Sequence, residues 1–340
     1  MKYRTLGKSN LQVSALCLGT MMFGDQTAQA EAAAIVADAH AQGVNYIDTA
    51  DVYTTGASET MVGALLKGQR HMSRHDWVLA TKLGNDMLRQ PQRTGAAHYS
   101  RSWMLREVDE SLQRLQTDFV DILYLHRDYN GMSLEEPLRA LQTLLQSGKI
   151  RYWGVSNFRG WRIAEMVHIA AQLGMPGPVV CQPYYNLLNR MPEVEILPAC
   201  AHYGIGVTSY SPIARGVLTG KYAPGQAPDA TTRAGRGDRR ILDTEFREES
   251  LQIAQTLQQH AQARGTTLAH FATAWVLANQ AVSAVIAGPR TLVQWQDYLP
   301  ALDYVVTKDD EILVDSLVRP GHPSTPGYTD PAYPLYARIK

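Results

Sequence analysis

Asn45-Tyr-Ile-Asp-Thr-Ala-Asp-Val-Tyr53, followed by Thr-Thr-Gly-Ala-Ser-Glu59, is the stretch whose reading decides the fold. An apolar run from Val44 to Ile47 breaks abruptly into Asp48, Thr49 and Asp51, the pattern of a buried strand that ends in polar groups aimed at one place. Working outward, WVLATK over 77–82 is a second apolar run that ends in a charge, Lys82, and FVDILYLH over 119–126 is a third, ending in His126. Three strand ends thus carry Asp48, Lys82 and His126, with Tyr53 a few residues beyond the first.

These four residue types suit one piece of chemistry, a tyrosine made acidic. A free phenol has a pKa of about 10, and lowering it by roughly 2 to 3 units means stabilising the phenolate by about 3 to 4 kcal/mol. An ammonium beside the phenol favours the charged form. Lys82 is expected to do the lowering, Asp48 to keep Lys82 charged and aimed, and His126 to share the proton or hold a carbonyl oxygen. Tyr53 would then be a general acid toward a carbonyl and, in reverse, a base toward an alcohol.

The pattern resembles the aldo-keto reductase superfamily, whose Asp, Tyr, Lys and His tetrad occurs in this order, and it is similar in particular to the bacterial aldo-keto reductases and the voltage-gated potassium-channel β subunits. The resemblance runs from about residue 2 to about residue 300 and is carried by LGTMMFG (18–24), IDTADVYTTGASE (47–59), ATK (80–82), LHRD (125–128), GVSNF (154–158), QPYYN (182–186), SPIARGVLTGKY (211–222) and IAGPRTLVQ (286–294). It implies a (β/α)₈ barrel, NADP(H) as cofactor and reduction of aldehydes or ketones.

The residues support that reading independently. At 340 residues the chain has room for one α/β barrel, and it is expected to form a single barrel domain over 1–340, with a hairpin at 1–15 and a tail at 319–340. Strand-like segments fall near 16–19, 44–48, 77–81, 119–125, 150–155, 179–182, 205–209 and 284–287, alternating with helix-like stretches such as 28–42, 101–115 and 134–146. That alternation predicts a parallel sheet closed into a TIM barrel. Two short runs, 2–6 and 11–15, flank Gly-Lys-Ser-Asn and predict a β-hairpin before it. No GxGxxG follows a strand, which disfavours a doubly wound dinucleotide fold. Between the last two strands the chain offers two helices, 245–264 and 266–279, after a Gly-, Pro- and Arg-rich loop at 224–240 that belongs on the catalytic face.

A tyrosine acid cannot reduce a carbonyl alone, since no protein side chain supplies a hydride. Later strand ends offer groups for a nicotinamide cofactor. Ser156, Asn157 and Gln182 could fix a carboxamide, and Tyr210 gives a flat ring for stacking. Phosphates are expected on the turn Ser211-Pro212-Ile213-Ala214-Arg215-Gly216 and the segment to Lys221, where backbone N–H groups and cations converge. After the eighth strand stand Gly288, Arg290, Gln294 and Asp297. Arg290 is placed to pair with an adenosine 2'-phosphate, which favours NADP over NAD. The resemblance to the channel β subunits adds Thr20, Met21 and Arg233, and again Lys221, as cofactor contacts. The family's Glu-Asn pair at the adenine end stands here as Asp297-Tyr298.

Composition excludes several other classes. Lys plus Arg and Asp plus Glu are both 32, so a nucleic acid or an anionic membrane surface is not the expected partner. No apolar run approaches the roughly 20 residues of a membrane span or forms a signal-peptide core, and the cytoplasm is the expected location. Cys17, Cys181 and Cys200 lie singly in apolar surroundings and fit a reducing compartment. His71 and His75 have metal-ligand spacing but no third ligand, and no metal is expected. His126-Arg127-Asp128 lacks the Asn that a kinase catalytic loop needs five positions on, where Ser133 stands. Arginines 233, 236, 239 and 240 read better as a lid over phosphate than as a nucleic-acid patch. The proline-stiffened tail with Tyr328, Tyr333 and Tyr336 is expected to be partly ordered, covering the substrate opening or packing on a neighbouring subunit of a homo-oligomer. The expected partner is a small carbonyl or alcohol substrate. Two rival readings are an NADP-holding redox sensor with slow turnover and a barrel isomerase or lyase acting on sugar phosphates.

Overall fold

A computed structural model describes residues 1–68, 73–85 and 98–333. Strands β1 (Tyr3–Thr5) and β2 (Gln12–Ser14) pair antiparallel as the expected hairpin, with Tyr3 opposite Ser14. The next eight strands are β3 (Leu16–Gly19), β4 (Tyr46–Asp48), β5 (Val78–Leu83), β6 (Val120–Leu125), β7 (Ile150–Ser156), β8 (Val180–Gln182), β9 (Gly206–Ser209) and β10 (Val282–Ala287). All pair in parallel with their sequence neighbours, and β10 closes the ring onto both β9 and β3. The fold is therefore a (β/α)₈ barrel.

Helices α1 (Gln29–Ala41), α2 (Ala57–Gly68), α3 (Arg101–Leu115), α4 (Glu135–Gln146), α5 (Gly160–Gln172) and α6 (Ile196–Tyr203) follow successive strands. After β9 come α7 (Arg239–Asp243), α8 (Glu248–Ala263) and α9 (Leu268–Ala278); after β10, α10 (Leu292–Gln296) and α11 (Lys308–Leu317). The sequence reading starts α8 at Glu245, but the backbone is still extended at Arg247 (φ −120°, ψ 148°), which serves as the N-cap, so the helix begins at Glu248. The capping box between Thr307 and Asp310 starts α11, each side chain bonding the other's backbone N–H.

Alternation along the strands sorts the core into two layers. Cys17, Tyr46, Val78, Ala80, Ile122 and Tyr124 point into the barrel, while Leu16, Leu18, Ile47, Leu79, Leu123 and Leu125 point out to the helices. Leu6 and Val13 of the hairpin join the inner set, so the hairpin plugs the end where the strands begin. The Gly7 backbone lies so close to Gly204 and Gly206 that any Cβ there would collide, and its φ of +59° adds to the requirement for glycine. Functional groups are left to the opposite rim. Among the described residues no helix is long and apolar enough to cross a membrane.

Candidate active site

The rim where the strands end holds a cavity of about 520 Å³. Asp48 closes β4 and Lys82 lies near the end of β5, two strands that pair with Asp48 opposite Ala80. This register brings the two side chains together: the Lys82 ammonium donates to the Asp48 carboxylate, to the Thr49 carbonyl at 2.9 Å and to the Tyr53 hydroxyl at 3.1 Å. Lys82 is fully buried behind the cavity wall, whereas Asp48, Tyr53 and His126 line it. The Tyr53 and His126 rings meet edge to face with centroids 5.9 Å apart. His126 Nδ1 is buried without a hydrogen-bond partner among the described residues.

Burial alone would lower the Lys82 pKa, but Asp48 and Tyr53 outweigh it and hold the ammonium above the ordinary lysine range. Burial raises the Asp48 carboxyl, against the pull of Lys82 and of the Gln182 amide, which donates to Asp48 Oδ2 at 2.9 Å. For Tyr53 the outcome differs from the sequence expectation. Burial pushes the phenol above its usual value; the opposing pull of Lys82 is present but smaller, and the charges of Asp48 and Asp51 add to the rise. The pocket thus favours a protonated phenol with a cation poised to receive its negative charge. His126 is pushed well below the usual histidine value by burial and then by the charges of Lys82 and Arg127, which keeps its imidazole neutral near pH 7.

Farther along the rim, Ser156, Asn157, Gln182 and Tyr210 form a connected group. Ser156 Oγ donates to the Gln182 carbonyl at 2.9 Å, and Asn157 Nδ2 donates to the His126 carbonyl at 2.9 Å. Tyr210 donates to Asn157 Oδ1 at 2.8 Å and stacks against Tyr184 with centroids 5.5 Å apart. Asn157 itself adopts a left-handed backbone, φ +62°. Thr20 and Met21 border the same space, the Thr20 hydroxyl bonding Ser58 and the Asp48 carbonyl.

The next turn is strained. Ser211, Ala214 and Arg215 have φ of 57°, 47° and 51°, followed by Gly216 at 98°. For non-glycine residues this costs of order 1 kcal/mol or more each, and such strain gathers at functional sites. Ser211, Pro212, Ile213, Arg215 and Gly216 line the cavity, while Ala214 is fully buried beneath them. The guanidinium of Arg215 is committed elsewhere: it pairs with Glu245, which also accepts from Tyr184 and Thr244. Beyond the turn, burial lowers the Lys221 pKa, and so do the charges of Arg290, Arg233 and Arg236. Four cations therefore face one region, with Asp238 bonded to Arg233 at 2.6 Å. Gly288, Arg290, Gln294 and Asp297 complete this end of the cavity; Gln294 accepts from the Arg290 N–H at 2.9 Å, and Asp297 pairs with His270 at 3.1 Å.

Arg127 and Asp330 carry no functional signal in the sequence, and Arg240, expected there in a lid over phosphate, lines the cavity and also pairs with Asp330 of the tail. The tail from 319 to 333 runs across the barrel and brings Tyr333 to the cavity wall. On the way Arg247 binds Thr325 at 2.7 Å and covers the Tyr328 ring at 3.8 Å. Tyr336, His71 and most of the 83–99 loop lie outside the described residues. Among the described residues no three His, Cys, Asp or Glu side chains gather as a metal site, and Cys17, Cys181 and Cys200 are free and buried.

The Aldo/keto reductase family model matches residues 15–319. A probable voltage-gated potassium channel subunit beta from Oryza sativa subsp. japonica is 34% identical over 334 residues, spanning 96% of this chain and 100% of that protein. The uncharacterized oxidoreductase YrpG of Bacillus subtilis (strain 168) is 34% identical over 349 residues, spanning 98% of this chain and 99% of its own. The L-glyceraldehyde 3-phosphate reductase of Escherichia coli (strain K12) is 33% identical over 317 residues, spanning 92% of this chain and 90% of that enzyme.

Proposed function

The chain belongs to the aldo/keto reductase family and is an oxidoreductase, and on that premise we propose that it reduces aldehydes or ketones to alcohols with NADPH, and runs the reverse oxidation, with Tyr53 as the acid and base. The observation that carries this reading is the Lys82 ammonium held between Asp48 and the Tyr53 hydroxyl at the wall of the cavity. In reduction Tyr53 gives its proton to the carbonyl oxygen as negative charge develops there. Lys82 then faces a phenolate, which it stabilises, and Asp48 keeps Lys82 charged. His126, neutral at the cavity wall, can donate a hydrogen bond to the same carbonyl oxygen and fix its direction.

The donor set fits a 2'-phosphorylated dinucleotide. Amides and hydroxyls of Ser156, Asn157 and Gln182 lie near the tetrad, the Tyr210 ring beside them, and the cations Lys221, Arg233 and Arg290 at the far end. Lys221, lowered first by burial and then by the charges of Arg290, Arg233 and Arg236, sits in a like-charged cluster that calls for an anion. When bound, NADPH supplies the hydride, which no side chain here can provide. Thr20, Met21 and the Ser211 to Gly216 turn would flank it, their backbone and hydroxyl groups setting its orientation.

Tyr53→Phe tests the assignment. NADPH binding should persist, read by quenching of tryptophan fluorescence, while reduction of an unactivated carbonyl falls by several orders of magnitude. Retention of more than about a tenth of the wild-type turnover would sink the role of Tyr53. A second reading, an NADP-holding regulatory protein with slow turnover, is favoured by the similarity to the channel subunit. Steady-state turnover of a reactive aldehyde separates the two.

A further inference from the structure

The Arg-rich loop at 224–240 and the tail read as unrelated segments in the sequence, yet they are joined at the cavity. On the loop, Arg233 faces Lys221 and pairs with Asp238. Asp238 accepts from the Ile241 N–H at 3.2 Å and so caps α7, whose second residue is Arg240. Arg240 makes a two-pronged ion pair with Asp330 of the tail: Nη1 donates to Oδ1 at 2.7 Å and Nη2 to Oδ2. The two side chains are only 24% and 14% exposed. Asp330 also shapes the turn that follows, its Oδ1 accepting from the Ala332 N–H at 2.9 Å and its carbonyl from the Tyr333 N–H at 2.9 Å. That turn sets Tyr333 on the cavity wall, with its ring 5.2 Å from the Arg127 guanidinium and its carbonyl 3.1 Å from Arg159. One bonded path thus runs from the cations at one end of the cavity to an aromatic wall near the other.

We propose that Arg240 and Asp330 are positioning residues that make the phosphate-side loop and the Tyr333 wall close as one unit, so that binding of a 2'-phosphorylated dinucleotide seats the wall against the carbonyl substrate. This rests on the cofactor reading above. An anion drawn to Lys221 and Arg233 holds the loop, the loop holds α7, and the ion pair carries that order into the tail. By linkage, a substrate that packs on Tyr333 strengthens retention of the dinucleotide by the same factor.

Asp330→Asn is the incisive change, because the amide keeps the size and the acceptor for Ala332 N–H but removes the charge. In the full-length protein it should speed NADPH release, followed by stopped-flow fluorescence, by about 5-fold or more, in the range of ordinary coupling energies. It should raise KM for a bulky aromatic aldehyde by a similar factor while kcat stays within about 2-fold, a split that loss of folded protein would not produce. The double variant Arg240→Gln/Asp330→Asn should lose no more than about 2-fold beyond Asp330→Asn in either quantity, because the two side chains act through one contact. The proposal is overturned if Asp330→Asn changes only one of the two quantities or neither, or if the effects of the two substitutions add in full. Failure of the wild-type protein to bind NADPH at all would instead overturn the cofactor reading, and the coupling with it.

Discussion

The Lys82 ammonium lies 3.1 Å from the Tyr53 hydroxyl and 4.7 Å from the centre of its ring, so the lysine sits against the phenol as well as at its tip. Burial drives the phenol toward its protonated form and Lys82 pulls the other way. Replacing Lys82 with Met removes the pull and leaves the burial. Reduction should then lose roughly 100- to 1,000-fold in kcat, the usual effect of deleting one stabiliser of developing charge. Alcohol oxidation needs the phenolate, so its rate rises with pH through the phenol's pKa, and that limb should move to higher pH in Lys82→Met. A pH profile of kcat/KM for oxidation that matches the wild type would refute the assignment.

His126 predicts how the fold responds to acid. Its folded pKa lies well below 6.5, chiefly through burial, so between the two values the unfolded chain binds a proton that the native state refuses. Its contribution is fully present above about pH 6.5 and is lost as pH falls toward the folded value, by at most about 2 kcal/mol between pH 6.5 and 5. Urea midpoints at pH 7.5 and pH 5 should therefore fall further apart in the wild type than in His126→Gln. An equal drop in both would show that other groups dominate.

Arg290→Ala should weaken NADPH much more than NADH. The guanidinium is one of the charges that depress Lys221, and a charge-assisted contact to phosphate of roughly 1.5 to 3 kcal/mol corresponds to about 10- to 150-fold in affinity. Titration of both cofactors into wild type and variant decides it. Equal losses would place Arg290 away from the 2'-phosphate.

Glu245→Ala should be among the costlier single changes. It leaves Arg215, whose side chain is 9% exposed, without its carboxylate, and also strips Tyr184 and Thr244 of a partner. Removing one member of a buried pair costs about 3 to 5 kcal/mol. Chemical denaturation should show that loss, and the double change Arg215→Met/Glu245→Leu should recover most of it. A drop below about 1 kcal/mol for Glu245→Ala would mean that the pair is solvated.

The strand ends were readable in the sequence because a buried strand leaves a local mark: apolar residues in, then an abrupt charge. Asp48, Lys82 and His126 each carry that mark, and register alone then places them together. Arg215 carries no such mark. Its direction is set by Glu245, 30 positions away, at the far side of a loop without periodicity. The Arg240 and Asp330 pair spans 90 positions and two segments that lack a repeat of 2.0 or 3.6. The shift at Tyr53 was missed for a different reason. Neighbouring charges can be guessed from motif order, but the extent of burial depends on the whole rim.

The left-handed turn beginning at Ser211 has an evolutionary consequence. Substituting glycine at Ser211 would relieve roughly 1 to 2 kcal/mol of backbone strain, set against about 0.4 to 1 kcal/mol of extra freedom in the unfolded chain, whereas at Ala214 the loss of a buried methyl, about 0.8 kcal/mol, cancels the gain. Selection for stability alone would drift toward glycine at Ser211. A side chain retained there in a lineage would record selection for a stiff arrangement of amides, and its loss to glycine would mark descendants released from that demand.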